Sequence, residues 1–261
     1  MGSHDRPAAE GVRPGHYPTS PVSRNHVAPA AKRVRGMVDG KWVFDTTSAL
    51  YLWEHPYYPQ YYIPDEDVVA EMLLDDGETA TNARGGHQLH SIRTAGDRRR
   101  SAAMQVADSK VDGILGRWRF VWSSIDHWFE EDEEIFVHPR SPYVRVDAIP
   151  SSRPVRVEAG EVVLASTASP VVVFETGLPP RYYLPKTAID WSNLSASELV
   201  TACPYKGVTS RYWHVQVAGT TLTDAAWSYH FPTGQVLPIA GLVAFDDEQV
   251  DVVVEDAPAS S

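Results

Sequence analysis

Short apolar stretches rich in Val, Tyr, Phe and Trp recur along most of the chain, and Gly, Pro, Asp or Asn break them at close spacing. Runs of β-branched and aromatic residues punctuated by turn formers predict strands. Arg35–Phe44 predicts a hairpin around Asp39-Gly40, a dipeptide suited to the two positive φ angles of a type I′ turn. Trp213–Leu222 predicts another, turning at Ala218-Gly219. Val171–Phe174, Arg181–Leu184, Val243–Phe245 and Val250–Val254 read as further strands, with counterparts nearer the N-terminus at Phe120–Trp122, Ile135–Val137 and Arg145–Asp147. Helical signals are short: Ser124–Glu131, with Asp126 near its start, and Ala188–Leu194. The pattern therefore predicts a mainly β, antiparallel fold with few short helices.

The chain also repeats itself. A shift of 121 positions aligns Val27–Pro64 with Ala148–Pro185 without a gap, and ten of the 38 positions are identical, where average residue usage gives roughly two. The identities include Glu54/Glu175, Tyr61/Tyr182, Tyr62/Tyr183 and Pro64/Pro185. A repeat of this length is a duplicated domain rather than a solenoid unit. Two tandem small β domains follow, residues 27–140 and 141–256. Residues 1–26 carry Pro7, Pro14, Pro18 and Pro21 without hydrophobic periodicity. Such a segment buries too little to offset the entropy of ordering it, and reads as a disordered tail; residues 257–261 read the same way.

Composition narrows the functions. The 261 residues hold 23 basic and 34 acidic side chains, a formal charge of −11. That balance argues against sequence-independent nucleic-acid binding, which needs a basic face. No apolar run is long enough for a membrane span, and Met1–Ser20 contains nothing like a signal peptide, so a soluble cytoplasmic protein is expected. Cys203 is the single cysteine, which excludes an internal disulfide and a Cys-rich metal cage. His87-Gln-Leu-His90 has no third ligand at a metal-binding spacing, and no metal or cofactor is expected. The acids concentrate in Asp126–Glu134 and Asp246–Asp256, one segment closing each copy, and read as solvated edges.

The chemistry gathers in the second copy. In Cys203-Pro-Tyr-Lys206-Gly207, Pro204 presets the φ of a turn, so Cys203 and Lys206 take its two ends. An ammonium beside a sulfur favours the thiolate, which makes Cys203 a candidate nucleophile; the competing reading is a buried, inert thiol. Glu175, at a strand end before the turn Thr176–Pro180, is a candidate partner of Lys206, as a salt bridge or as a general base. Arg181, Tyr182, Tyr183, Trp227 and Tyr229 lie on strands where alternate members share a side, suited to a flat or heteroaromatic ligand. His214 and His230 are candidate rim residues. At the same offset the first copy has Asn82 for Cys203, Gly85 for Lys206 and Gly86 for Gly207, and with two residues of slip Met104 stands for Trp227. The second copy is expected to carry the site and the first to support it. The nucleotide-binding glycine loops and the Gly-x-Ser-x-Gly elbow are missing.

Phe174–Pro185, Cys203–Gly207, Ala226-Trp-Ser-Tyr229 and Ile239–Phe245, with Trp128–Arg140 and Arg145–Arg153 as closing strand and joint, resemble the bacterial domain-of-unknown-function family 427 in its tandem form. The resemblance covers about residues 30 to 256 and implies a compact β domain of the β-tent type, two antiparallel sheets meeting at an angle around a pocket. The family motif falls on Glu175, Tyr182, Tyr183, Cys203, Lys206, Trp227 and Tyr229. The implied function is binding, and with a nucleophilic Cys203 transformation, of a small polar or heteroaromatic metabolite by a monomer or weak homodimer. A non-catalytic sensing module is one alternative, and an interaction scaffold built on the acidic segments is another. A nucleotidyltransferase, a label also attached to the family, would call for paired metal-binding aspartates and a Gly-Ser motif, neither of which the sequence contains.

Overall fold

The computed structural model describes residues 22–255. The first copy contributes β1 (Val27–Pro29), β2 (Val34–Val38), β3 (Lys41–Thr46), β4 (Leu50–Leu52), β5 (Gln60–Tyr62), β6 (Leu73–Asn82), β7 (Gly85–Arg93), β8 (Arg98–Val106), β9 (Trp118–Phe120), β10 (His127–Glu130) and β11 (Glu133–Ile135). The second contributes β12 (Val146–Pro150), β13 (Val155–Ala159), β14 (Val162–Thr167), β15 (Val171–Glu175), β16 (Arg181–Leu184), β17 (Leu194–Ser197) and β18 (Ala202–Cys203). It continues with β19 (Gly207–Val208), β20 (Arg211–Val217), β21 (Thr220–Ser228), β22 (Val243–Phe245) and β23 (Asp251–Val254). Helical structure is confined to 3₁₀ segments, and no helix among the described residues is long and apolar enough to cross a membrane. The protein is mainly β, in two halves.

The halves share one topology. In the second copy a seven-stranded antiparallel sheet runs β12-β15-β16-β22-β21-β20-β17, and β14-β13-β23 form a smaller one. In the first, β1-β4-β5 and β9-β8-β7-β6 keep the same order, joined by a single bridge between Ile63 and Trp118, and β3-β2-β10 form the smaller sheet with β11 added at its edge. Each main core lies between the sheets. In the second copy Val155, Val157 and Leu164 meet Leu184, Val215, Ala226 and Phe245 there. Because strand side chains alternate, the large sheet has a second face. On it Val173, Tyr183, Tyr229 and Ala244 form a separate cluster under Tyr205, Val236 and Ile239.

Both expected hairpins form, with φ of 48° and 72° at Asp39-Gly40 and 47° and 80° at Ala218-Gly219. The helix expected over Ser124–Glu131 does not. Trp122–Ser124 makes one 3₁₀ turn, and His127–Glu130 is a strand paired with Val34–Met37. Its period is two: Trp128 and Glu130 are buried while His127 is exposed, so pairing in the sheet overrides the helical preference of the acids. Ala188–Leu194 likewise reduces to the 3₁₀ turn Trp191–Asn193, held by Asp190 accepting from the Ser192 N–H at 3.1 Å.

Of the expected tail, residues 1–21 lie outside the described residues. Val22 packs on the first core and the His26 ring lies 5.3 Å from that of Trp53. Several acids of these two segments are paired within the fold. Arg99 pairs with Asp126, Arg35 with Asp132 and Arg140 with Glu133, each at 2.7 Å, and Arg181 pairs with Asp247 at 2.7 Å.

Candidate functional site

β18 and β19 are two residues each, and Cys203 pairs with Gly207 across a turn of Pro204, Tyr205 and Lys206. Gly207 has φ +92°, a left-handed conformation that glycine adopts without a Cβ penalty. The turn points Lys206 back over the outer face of the large sheet. Its ammonium donates to Glu175 Oε2 and lies 3.9 Å from Cys203 Sγ. The side chains of Lys206 and Glu175 are each 12% exposed. Burial by itself would push the Lys206 ammonium down, but Cys203 and Glu175 outweigh it, and its pKa lies above the usual lysine value.

These groups border a cavity of about 230 Å³ lined by Glu175, Arg181, Tyr183, Lys206, Trp227 and Tyr229, with Tyr212 and apolar Val173, Leu178 and Pro179. The register sets Trp227 on β21 and Tyr183 on β16 to either side of Ala244 on β22, and Tyr229, just past the end of β21, packs in the same cluster. The Arg181 guanidinium lies 5.4 Å from the Trp227 ring centre, fixed by bonds to the Phe245 carbonyl at 3.0 Å and to Asp247 at 2.7 Å. The Tyr183 and Tyr229 phenols are raised above the ordinary value by burial, so both remain neutral donors at physiological pH.

The same alternation sends Tyr182 to the other side. It borders a separate cavity of about 330 Å³ between the sheets, with Val157, Leu184, Phe245 and Val252, and Arg153 lies over its ring at 5.9 Å. Cys203 is half-buried behind Lys206 and is not among the residues lining the first cavity. His214 accepts from the Asp224 N–H at 3.0 Å and His230 contacts Lys186 at 3.2 Å; neither borders that cavity.

Four residues that the pattern does not single out complete the surroundings. Tyr212 joins the cavity, its hydroxyl 2.9 Å from Thr201 Oγ1. Tyr205, Tyr58 and His138 lie on the far side of the Glu175–Leu178 turn, in a cavity of about 470 Å³ formed by both copies. There the rings of Tyr58 and His138 stack with centres 4.0 Å apart. Only the tandem Tyr57-Tyr58, unlike the Leu178-Pro179 of the second copy, offered a sequence signal for this wall.

The first copy rebuilds the equivalent position. Its turn is one residue shorter, so Asn82 pairs with Gly85 as Cys203 does with Gly207, and Arg84 takes the place of Lys206. Matching register also sets Met104 opposite Arg119 where Trp227 faces Ala244. Glu54 thus meets Arg84 at 3.4 Å and Arg119 at 3.3 Å, and Tyr62 donates to it at 3.0 Å. The gapless alignment, which opposes Gly85 to Lys206, hides this exchange.

Fold and site together define a duplicated two-sheet β domain with a carboxylate–cation pair on the outer face of each large sheet. The chain belongs to the family described as Domain of unknown function (DUF427), whose profile matches residues 26–131 and again 147–256. No curated protein matches it.

Proposed function

We propose that the second copy binds a small, flat, polar metabolite, a heteroaromatic ring bearing hydrogen-bonding substituents, in the cavity under Trp227. The observation that carries this reading is a nearly buried ion pair, Lys206–Glu175, set in a cavity wall whose other members, Arg181 apart, are aromatic or aliphatic. Ligand sites combine an apolar, aromatic lining with a few placed polar groups. Trp227 supplies a stacking face, Lys206 a donor, Glu175 an acceptor, and Tyr183 and Tyr229 neutral hydroxyls. At about 230 Å³ the space is below the roughly 300–1,000 Å³ of drug-sized sites, so it suits one or two fused rings.

A thermal-shift screen of nucleobases, nucleosides and heteroaromatic carboxylates tests the reading. A ligand at about 100 times its Kd stabilises by roughly 2.7 kcal/mol. Hits should disappear in Lys206→Met and in Trp227→Ala; hits unchanged by both variants would exclude this cavity.

A second reading, Cys203 as nucleophile, is favoured by the 3.9 Å approach of the Lys206 ammonium to its sulfur. Iodoacetamide should then alkylate the native protein, and more slowly in Lys206→Met. A thiol that reacts only after denaturation makes the site a binding module alone.

A further inference from the structure

The first copy carries a charge imbalance that the second does not. Arg84 and Arg119 share the single carboxylate of Glu54, and among the described residues neither forms an ion pair with another acid. In the second copy Lys206 has Glu175 to itself, Ala244 stands at the Arg119 position, and Arg181 is neutralised by Asp247. Within this cluster one positive charge is therefore without an ion-pair partner. Yet the side chains of Glu54, Arg84 and Arg119 are only 16%, 15% and 20% exposed. A largely desolvated excess charge is costly unless something pairs with it.

The hydrogen bonds show the same deficit. Arg84 N–H donates to Asn82 Oδ1 at 2.8 Å, which fixes the Asn82 amide so that its Nδ2 donates to His87 Nε2 at 2.8 Å. The proton of the His87 ring then sits on Nδ1, and that nitrogen is buried without a partner. His87 as a whole is 5% exposed. Burial, and then Arg84, hold its pKa below the usual histidine value, consistent with a neutral ring that still has one N–H to donate. Arg84 Nε is a second buried donor without an acceptor. The ion pairs to Glu54, at 3.3 and 3.4 Å, are slack beside the about 2.7–2.9 Å of charge-assisted bonds, so the guanidiniums are not drawn fully onto the carboxylate.

Surplus positive charge and orphaned donors in one cluster are what an oxyanion supplies for: it brings negative charge and acceptors together, and guanidinium forks match its geometry. We propose that the first copy is an oxyanion site in which Arg84 and Arg119 hold a phosphate or carboxylate group, with His87 as a neutral donor. The first copy is then a second binding site of different chemistry, not only a support for the other.

Isothermal titration of the full chain with inorganic phosphate and, separately, with malonate tests this and tells the two sources apart. Saturable binding of either with a Kd of about 1 mM or below, weakened at least tenfold in Arg119→Ala, supports the site. That variant installs the alanine found at the matching position of the second copy, so the fold should accept it; Arg84→Gln provides an independent arm that keeps the turn. Two outcomes would overturn the proposal: heats without saturation for both anions, or binding kept by Arg119→Ala and Arg84→Gln but lost in Lys206→Met. The latter would place the anion in the second copy and leave the aromatic-ligand reading to its own screen.

Discussion

The hydroxyl of Tyr205 accepts a hydrogen bond at 2.9 Å from the backbone N–H of Ser141. The turn that presents Lys206 is thereby tied to the segment joining the two copies. Tyr205 is 6% and Ser141 4% exposed, so this bond is shielded from water, and burial raises the Tyr205 phenol well above its ordinary pKa. Tyr205→Phe leaves the Ser141 N–H buried without an acceptor, which costs about 1–3 kcal/mol. Urea unfolding should show a loss of that size. Because the turn loses an anchor, amide exchange at Lys206 and Gly207 should quicken more than in the core strand β22.

The Lys206–Glu175 pair should behave as a coupled unit. Removing one member leaves a charge at 12% exposure without its partner, and breaking a buried pair in this way costs about 3–5 kcal/mol. Lys206→Met and Glu175→Gln should each destabilise on that scale. The double variant should lose less than their sum, because neither charge is then stranded. Strict additivity in chemical denaturation would mean that the two groups do not interact in solution.

How much of this was readable in advance depends on the range of the interactions. The hairpins at Asp39-Gly40 and Ala218-Gly219 are set by local φ preferences, and the Glu175–Lys206 pair followed from a strand end and a turn of known geometry. The contacts of Tyr205 with Ser141 and of Tyr58 with His138 join positions separated by 64 or more residues, and no local pattern encodes them. At Ser124–Glu131 the local signal was misleading, since Asp126 near its start and the acids that follow resemble a capped helical surface. There Glu130 instead turns inward from a strand and collects cations. The exchange of Lys206 for Arg84 was hidden by the loss of one turn residue, which shifts the alignment but not the sheet register.

Glu130 should dominate the acid limb of the stability curve. At 2% exposure it accepts from Lys32 at 2.5 Å, Arg140 Nη2 at 2.8 Å and Tyr61 at 2.7 Å. Burial works to raise its pKa, but Lys32, Tyr61 and Arg140 prevail and the folded value lies below the ordinary one. A carboxylate depressed in the folded state contributes stability that is present above its unfolded pKa, about 4.3, and lost as pH falls through the folded value. Wild type should therefore exceed Glu130→Gln in stability at pH 7, with the gap closing below about pH 4. A gap independent of pH would show that the carboxylate's charge is not what stabilises this joint.

Gly85 and Gly160 both have positive φ, +139° and +61°, yet they should respond differently to alanine. At Gly160 an added Cβ meets nothing within 4 Å, so the penalty is the left-handed backbone alone, about 1–2 kcal/mol. At Gly85 the same atom would lie 2.1 Å from the Asp108 carbonyl oxygen, and backbone cannot swing aside as a side chain does. Overpacking adds about 1–3 kcal/mol and pushes β7 away from Asp108, whose carbonyl accepts from the Gly86 N–H at 3.1 Å. Gly85→Ala should thus unfold at clearly lower urea than Gly160→Ala. Since Gly85 closes the turn that holds Arg84 beside Glu54, it should also weaken phosphate binding, whereas Gly160→Ala, in the β13–β14 hairpin of the other copy, should leave that binding intact.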